Sequence, residues 1–466
     1  MESPEPAVES RGRRARERFV HFASDALLRL YFRRVEVVGA DRIPPQGPIV
    51  VVANHVNGLL DPMFVFGPLA IPARMLGKST LWRIPVIAQL ADLAGGIPVY
   101  RRMDKGVDPA RNVEAFAAAH AVLARGDALA IFPEGISHDE PRLQPLKTGA
   151  ARIVLEAERK HGPLGVRIVP VGLVFEGREK FRSRALVVVG EPIDPAPELA
   201  MADEIAAVRA LTARIAAAIE SVTLNYASWE EARLVELGAD LLERESDAAG
   251  PRPRMVREFA LRRALLAALG RLRASHAGEV AEAVEAARSY ERLLRAARLT
   301  DEQVKATVPW RLALGLFSLA AARLLLTAPV AIVGTALNVV PWMLVHAISK
   351  LFRDEPNQIS TYRLFPGIAL YPATWIGESI AAARELGAAA GVAVGVVAPF
   401  AGWVALRWHE RRRILWRETR AFLLLRGRRS VAAELRARRA RVEAAIGRLA
   451  GYLRGEDGAP NAASRS

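Results

Sequence analysis

His55 stands in Asn54-His55-Val56-Asn57-Gly58-Leu59-Leu60-Asp61-Pro62, a base with a carboxylate close behind it. An imidazole takes a proton from an attacking hydroxyl best when a carboxylate holds its other nitrogen, and Asp61 is the nearest one in sequence. Further on, Phe132-Pro133-Glu134-Gly135 ends an apolar run with a carboxylate and a glycine that permits close backbone approach. Glu134 could accept hydrogen bonds from a polyol or anchor arginines that face a phosphate. Between the two lies Gly96-Ile97-Pro98-Val99-Tyr100-Arg101-Arg102, and the arginine fork suits phosphate oxygens. In an extended segment the two arginines point to opposite faces, and Arg101 is the one assigned to the site. Lys147, in Leu146-Lys147-Thr148-Gly149, adds charge nearby. Base, orienter and anion clamp describe an enzyme that deprotonates a hydroxyl on a phosphorylated substrate.

Other chemistries lack their residues. Gly77-Lys78-Ser79-Thr80 is preceded by Pro72 where a phosphate-binding loop needs glycine, and no Gly-x-Ser-x-Gly elbow occurs. With no cysteine there is no disulfide, thiolate metal site or thiol nucleophile. His138 has only Asp139 at obvious spacing, and no His/Asp/Glu cluster has metal-ligand spacing. No metal or cofactor is expected.

The elements that must hold these residues follow from pattern. Residues 49–53, 128–132, 168–175 and 186–189 are short apolar, β-branched runs suited to buried strands, with helical stretches at 109–125 and 148–160. That alternation predicts an α/β sheet domain over 35–198, with ligands at strand ends. Residues 1–34 read as a disordered start and then, from Arg11, a basic amphipathic helix for an anionic membrane surface. Residues 199–308 read as a helical linker domain. In 309–410, positions 324–349 and 386–406 carry no Asp, Glu, Lys or Arg, enough in each case for a ~20-residue membrane span, and 364–377 is a shorter re-entrant or interfacial candidate. Residues 411–466 are a basic tail that the positive-inside rule places in the cytoplasm.

Composition agrees. The net charge is +15 and 51% of residues are hydrophobic, so the expected anionic partner is a lipid surface and not nucleic acid. Met1 to Arg18 lacks the apolar core of a signal peptide, which puts the sheet domain on the cytoplasmic side.

In order, Asn-His…Asp-Pro, Gly-Ile-Pro-Val-Tyr-Arg, Phe-Pro-Glu-Gly and Val169-Pro170-Val171-Gly172 resemble the blocks of the glycerolipid acyltransferase family, across about residues 35–195. That family includes glycerol-3-phosphate and 1-acylglycerol-3-phosphate acyltransferases. The resemblance implies acyl transfer from acyl-CoA or acyl-carrier protein, as donor substrate, to a glycerolipid hydroxyl at a membrane of the bacterial inner-membrane type. It implies His55 as general base with Asp61 as partner, and Arg101, Glu134 and Gly135 on the glycerol phosphate; Lys147 is placed near the phosphate or the thioester by its charge alone. The Pro170 block would help shape the acyl site. Two departures stand out. Five residues, Val56 to Leu60, separate His55 from Asp61 where the family usually has four, and one more residue turns an ideal helix about 100° further. After Gly135 come Ile136-Ser137-His138, so the arginine of the family block is absent. Glycerol-3-phosphate, lysophosphatidic acid, dihydroxyacetone phosphate and a lyso-aminolipid all need the same base. An inactive domain kept as a membrane scaffold is the reading from another class. Oligomeric state is not legible.

Overall fold

The computed structural model describes residues 7–101, 108–177, 180–245, 254–305, 309–351 and 359–458. Arg102 falls outside them. The chain divides into two compact units, the first made of residues 1–225, 251–259 and 354–361.

The first unit is built on seven strands: β1 (Arg34–Val38), β2 (Ile49–Ala53), β3 (Arg74–Lys78), β4 (Ile97–Val99), β5 (Leu129–Ile131), β6 (Arg167–Phe175) and β7 (Arg184–Val189). Their order is β1-β7-β6-β2-β5-β3-β4, parallel except for the antiparallel β6–β7 pair. All five residues of β2 are buried, so both faces of this central strand are covered, as its unbroken apolar run requires. Val50, Val52, Leu129, Ile131 and Ile168 share one core with buried residues of three helices, α4 (Asn112–Ala124), α5 (Gly149–His161) and α7 (Glu204–Val222).

Because Ala207, Leu211, Ile215 and Ile219 of α7 lie in that core, the first unit runs on to Asn225, beyond the expected boundary at 198. Their four-residue spacing puts them on one helix face, which docks on the sheet. Gly172 of β6 marks that docking: a Cβ there would stand 1.9 Å from the Val222 carbonyl oxygen.

The N-terminal helix α1 (Ala7–Tyr31) is tied in at its end. Leu28, Tyr31 and Phe32 are buried, with the Phe32 ring 5.6 Å from Phe64 and 5.7 Å from Phe175. Earlier on the same helix, Phe19 and Phe22 are 56% and 72% exposed. It is both an integral part of the first unit and a carrier of exposed aromatic rings among arginines.

The second unit is helical. Two of its helices are long and apolar enough to cross a bilayer, Trp310–Leu351 and Ala388–Gly427. At 42 and 40 residues they measure about 60 Å each, twice a ~30 Å hydrocarbon core, so each extends well past the expected spans at 324–349 and 386–406. They pack closely where Gly334 lacks a side chain, since a Cβ there would meet the Ala401 carbonyl oxygen at 1.9 Å. Asn338 joins them, donating to the Ala398 carbonyl at 3.1 Å and accepting from the Trp375 indole at 2.9 Å. Trp375 sits on the helix Ile359–Leu386, and residues 364–377 lie inside that continuous helix.

Candidate active site

Strand β2 ends at Ala53, and the next three residues are non-repetitive chain. Asn54 makes this exit rigid. Its buried side chain donates to the Leu173 carbonyl at 3.1 Å and accepts from the Leu173 N–H at 2.7 Å. The amide thus imitates one further backbone pair with β6, and His55 leaves the sheet at a fixed angle.

The extra residue before Asp61 is absorbed in a turn. Gly58 takes φ +52°, a conformation natural to glycine, and Gly58–Leu60 forms one 3-10 turn before helix α2 (Asp61–Phe66). The turn carries Asp61 back under His55. His55 Nδ1 lies 2.9 Å from Asp61 Oδ2, and the same oxygen accepts the N–H groups of Val56 and Asn57, each at 2.8 Å. Asp61 is fully buried. One carboxylate oxygen therefore shapes the turn and holds the imidazole. With Asp61 ionised, Nδ1 carries the proton and Nε2 is left as acceptor. The His55 ring stacks on Phe132 at 4.3 Å, which fixes its plane.

Phe132 belongs to the second turn. The His55 N–H donates to Glu134 Oε1 at 2.8 Å, the His138 N–H to the His55 carbonyl at 3.2 Å, and the Gly58 N–H to Ser137 Oγ at 3.3 Å. The two motifs, 79 residues apart, are one structure. Glu134 is 1% exposed; its Oε2 accepts the Gln144 N–H at 2.7 Å and meets His138 Nε2 at 2.5 Å. Glu134, expected on the substrate, is bonded internally to His55, Gln144 and His138 and positions the turn. His138 is taken up by Glu134 in the same way, so it does not stand in for the missing arginine.

The cation at this turn is Arg101, just after β4. Its Nη1 donates to the Gly135 carbonyl at 2.6 Å, and Gly135 has φ +70°. Lys147 reaches the same place from the other side: its N–H donates to the Pro133 carbonyl at 2.7 Å, and its stem lies 3.4 Å from where a Gly135 Cβ would be. His55, Asp61, Glu134, Gly135, Arg101 and Lys147 thus gather at the C-terminal ends of β2, β5 and β4. The Pro170 block serves packing. A Cβ on Gly190 would meet the Pro170 ring at 2.9 Å, and Gly172 admits Val222.

Residues 34–174 match the acyltransferase family. This stretch is an acyltransferase domain. The chain is 38% identical over 119 residues to glycerol-3-phosphate O-acyltransferase 1 of Saccharomyces cerevisiae, covering 24% of this chain and 16% of the yeast protein. It is 28% identical over 169 residues to the chloroplastic 1-acyl-sn-glycerol-3-phosphate acyltransferase BAT2 of Brassica napus, covering 35% and 45%. The chain therefore spans less than half of either relative. The crystal structure of the 1-acyl-sn-glycerophosphate acyltransferase PlsC from Thermotoga maritima is similar at a TM-score of 0.35 and 20% identity, over 46% of this chain and 82% of that one.

Some parts of the acyltransferase domain's site had no advance signal. Asn54 sits inside the histidine motif, but its bond to Leu173 spans 119 residues. Thr361, in the 354–361 segment of the first unit, accepts the Leu59 N–H at 3.2 Å across 302 residues. Ser137, in contrast, lay in the block itself.

Proposed function

We propose that this protein is a membrane-bound O-acyltransferase of phospholipid biosynthesis. It moves a fatty acyl group from acyl-CoA or acyl-carrier protein to a hydroxyl of glycerol-3-phosphate or 1-acylglycerol-3-phosphate. The observation that carries the reading is the 2.9 Å His55–Asp61 pair, set beside a turn that holds Arg101 on Gly135. An acceptor hydroxyl is far too weak an acid to ionise near neutral pH, so it must lose its proton as it attacks. In the proposed reaction its oxygen bonds to the thioester carbonyl carbon while His55 Nε2 takes the proton. Asp61 stays ionised and stabilises the imidazolium. The tetrahedral intermediate then collapses, the C–S bond breaks, and the thiolate leaves with the proton from His55.

Arg101, with Lys147 beside it, supplies positive charge for the acceptor's phosphate. The two long apolar helices support an integral membrane anchor, with the sheet unit on the cytoplasmic side. The names of the yeast and rapeseed relatives support the acceptor class. A membrane scaffold with an inactive domain would leave the base without its orienter, and the short pair argues against it. The test is thiol release from acyl-CoA, and from acyl-carrier protein, with a panel of acceptors. Release that depends on glycerol-3-phosphate or 1-acylglycerol-3-phosphate is expected. Release with dihydroxyacetone phosphate or a lyso-aminolipid alone moves the acceptor, and none with any acceptor removes the reading.

A further inference from the structure

A second concentration of charge lies at the other end of the sheet. Arg74 opens β3 in register with Leu129, which is itself opposite Val50 of β2. It is thus five strand positions from His55, about 16 Å along the strand direction. Here α1 passes the chain between α2 and β3 and forms with it an open cavity of about 760 Å³. His21 Nδ1, 2.9 Å from the Phe66 carbonyl, fixes the helix in place. Phe66, Ile71 and Leu93 line the cavity with apolar surface, while Arg14, Arg18 and Arg74 line it with positive charge.

That charge is only partly compensated. Arg13, Arg16 and Arg125 add three more guanidiniums around Arg74. The carboxylates facing them are Glu17 and Asp127, both engaged by Arg13, with Arg125 also on Asp127. Asp92, beside Leu93, accepts the Trp82 indole N–H instead. Arg74 is half-buried with Nε held by the Gly95 carbonyl at 2.7 Å, and burial together with Arg16, Arg125 and Arg13 makes its charged form less favourable than usual. A bound anion would relieve that repulsion.

We propose that this cavity binds an anionic phospholipid, its phosphate among Arg14, Arg18 and Arg74 and its acyl chains along Phe66, Ile71 and Leu93. The apolar lining favours a lipid over a free anion. So do Phe19 and Phe22, whose exposed rings on the same helix suit it to lie in a bilayer surface. The site is separate from His55, and its occupancy does not require acyl transfer.

The test uses the full chain in neutral detergent micelles, with apparent Tm followed against added dihexanoyl phosphatidylglycerol, dihexanoyl phosphatidylcholine or inorganic phosphate. Phosphatidylglycerol is expected to raise the Tm of the wild type at concentrations where the other two do not. Arg14→Gln/Arg18→Gln should move the half-maximal concentration up by about tenfold or more. Leu93→Trp, which keeps every charge and fills the apolar wall, should weaken the response to a similar degree. Arg428→Gln/Arg429→Gln, in the other unit, and Arg101→Gln, at the active site, should respond like the wild type. An equal shift from inorganic phosphate or phosphatidylcholine overturns the proposal. So does an unaltered response in both cavity variants, or its loss in either control.

Discussion

The backbone N–H of His55 donates to Glu134 Oε1 at 2.8 Å, and the other oxygen of that carboxylate holds Gln144 and His138. Glu134 is therefore the tie between the turn that carries the base and the turn that carries Gly135.

Glu134→Gln separates the two roles expected of this residue. Glutamine keeps one oxygen for the His55 N–H but sets an NH2 against the Gln144 N–H. An unmade bond of that kind costs about 1–3 kcal/mol. The expected result is a lower Tm and a lower kcat, with little change in KM for the acceptor. A raised acceptor KM at unchanged kcat and Tm would return Glu134 to substrate binding.

Asp61→Asn nearly conserves shape and keeps one oxygen for the Val56 and Asn57 N–H groups. It removes the charge that steadies an imidazolium at His55. Turnover should fall by about 10²-fold or more while the protein stays folded. Wild-type turnover in a folded Asp61→Asn protein would show that another group orients His55.

Arg101 is held by the Gly135 carbonyl through one nitrogen, which sets its guanidinium beside the turn where the proposed reaction needs the phosphate. Arg101→Gln should raise KM for a phosphorylated acceptor by about 10–100-fold, the weight of one charge-assisted contact. Kinetics on a matched pair of acceptors, with and without phosphate, would show it. Equal effects on both would mean that Arg101 supports the turn and does not bind phosphate.

His120, buried on α4, supplies a pH dependence for the fold. Burial pushes its pKa below the usual 6.5, against a weaker opposing pull from Glu156. The unfolded chain therefore binds this proton more readily than the folded one. Stability from the neutral histidine is present above the unfolded pKa and is lost as pH falls through and below about 6.5. Between pH 7 and pH 5, apparent Tm should drop less in His120→Gln than in the wild type. Parallel curves would remove His120 as the cause.

The central strands were legible because burial on both faces demands unbroken apolar runs. Ile49–Ala53 matches its expected range, and β5, β6 and β7 differ only at their ends. The strands at the margins were not. Arg34–Val38 and Arg74–Lys78 mix charge with apolar residues, as strands at or near a sheet margin do, and nothing local marks them. The membership of α7 in the sheet unit was hidden because amphipathic helices look alike whatever they pack against. At the site, the residue types and their order pointed to one location. The direction of Glu134 and His138 was not readable, since a carboxylate facing in and one facing out have the same local sequence. The five-residue gap was visible, while its closure depends on a left-handed Gly58 that only the three-dimensional turn reveals.

In the proposed reaction His55 is the base that activates an acceptor hydroxyl. The most direct measurement is steady-state thiol release from acyl-CoA by purified wild-type and His55→Ala protein, with saturating glycerol-3-phosphate or 1-acylglycerol-3-phosphate. Loss of a positioned general base predicts a fall of about 10²–10⁴-fold in kcat for His55→Ala, with its membrane association intact. Full turnover by a folded His55→Ala protein would contradict the account.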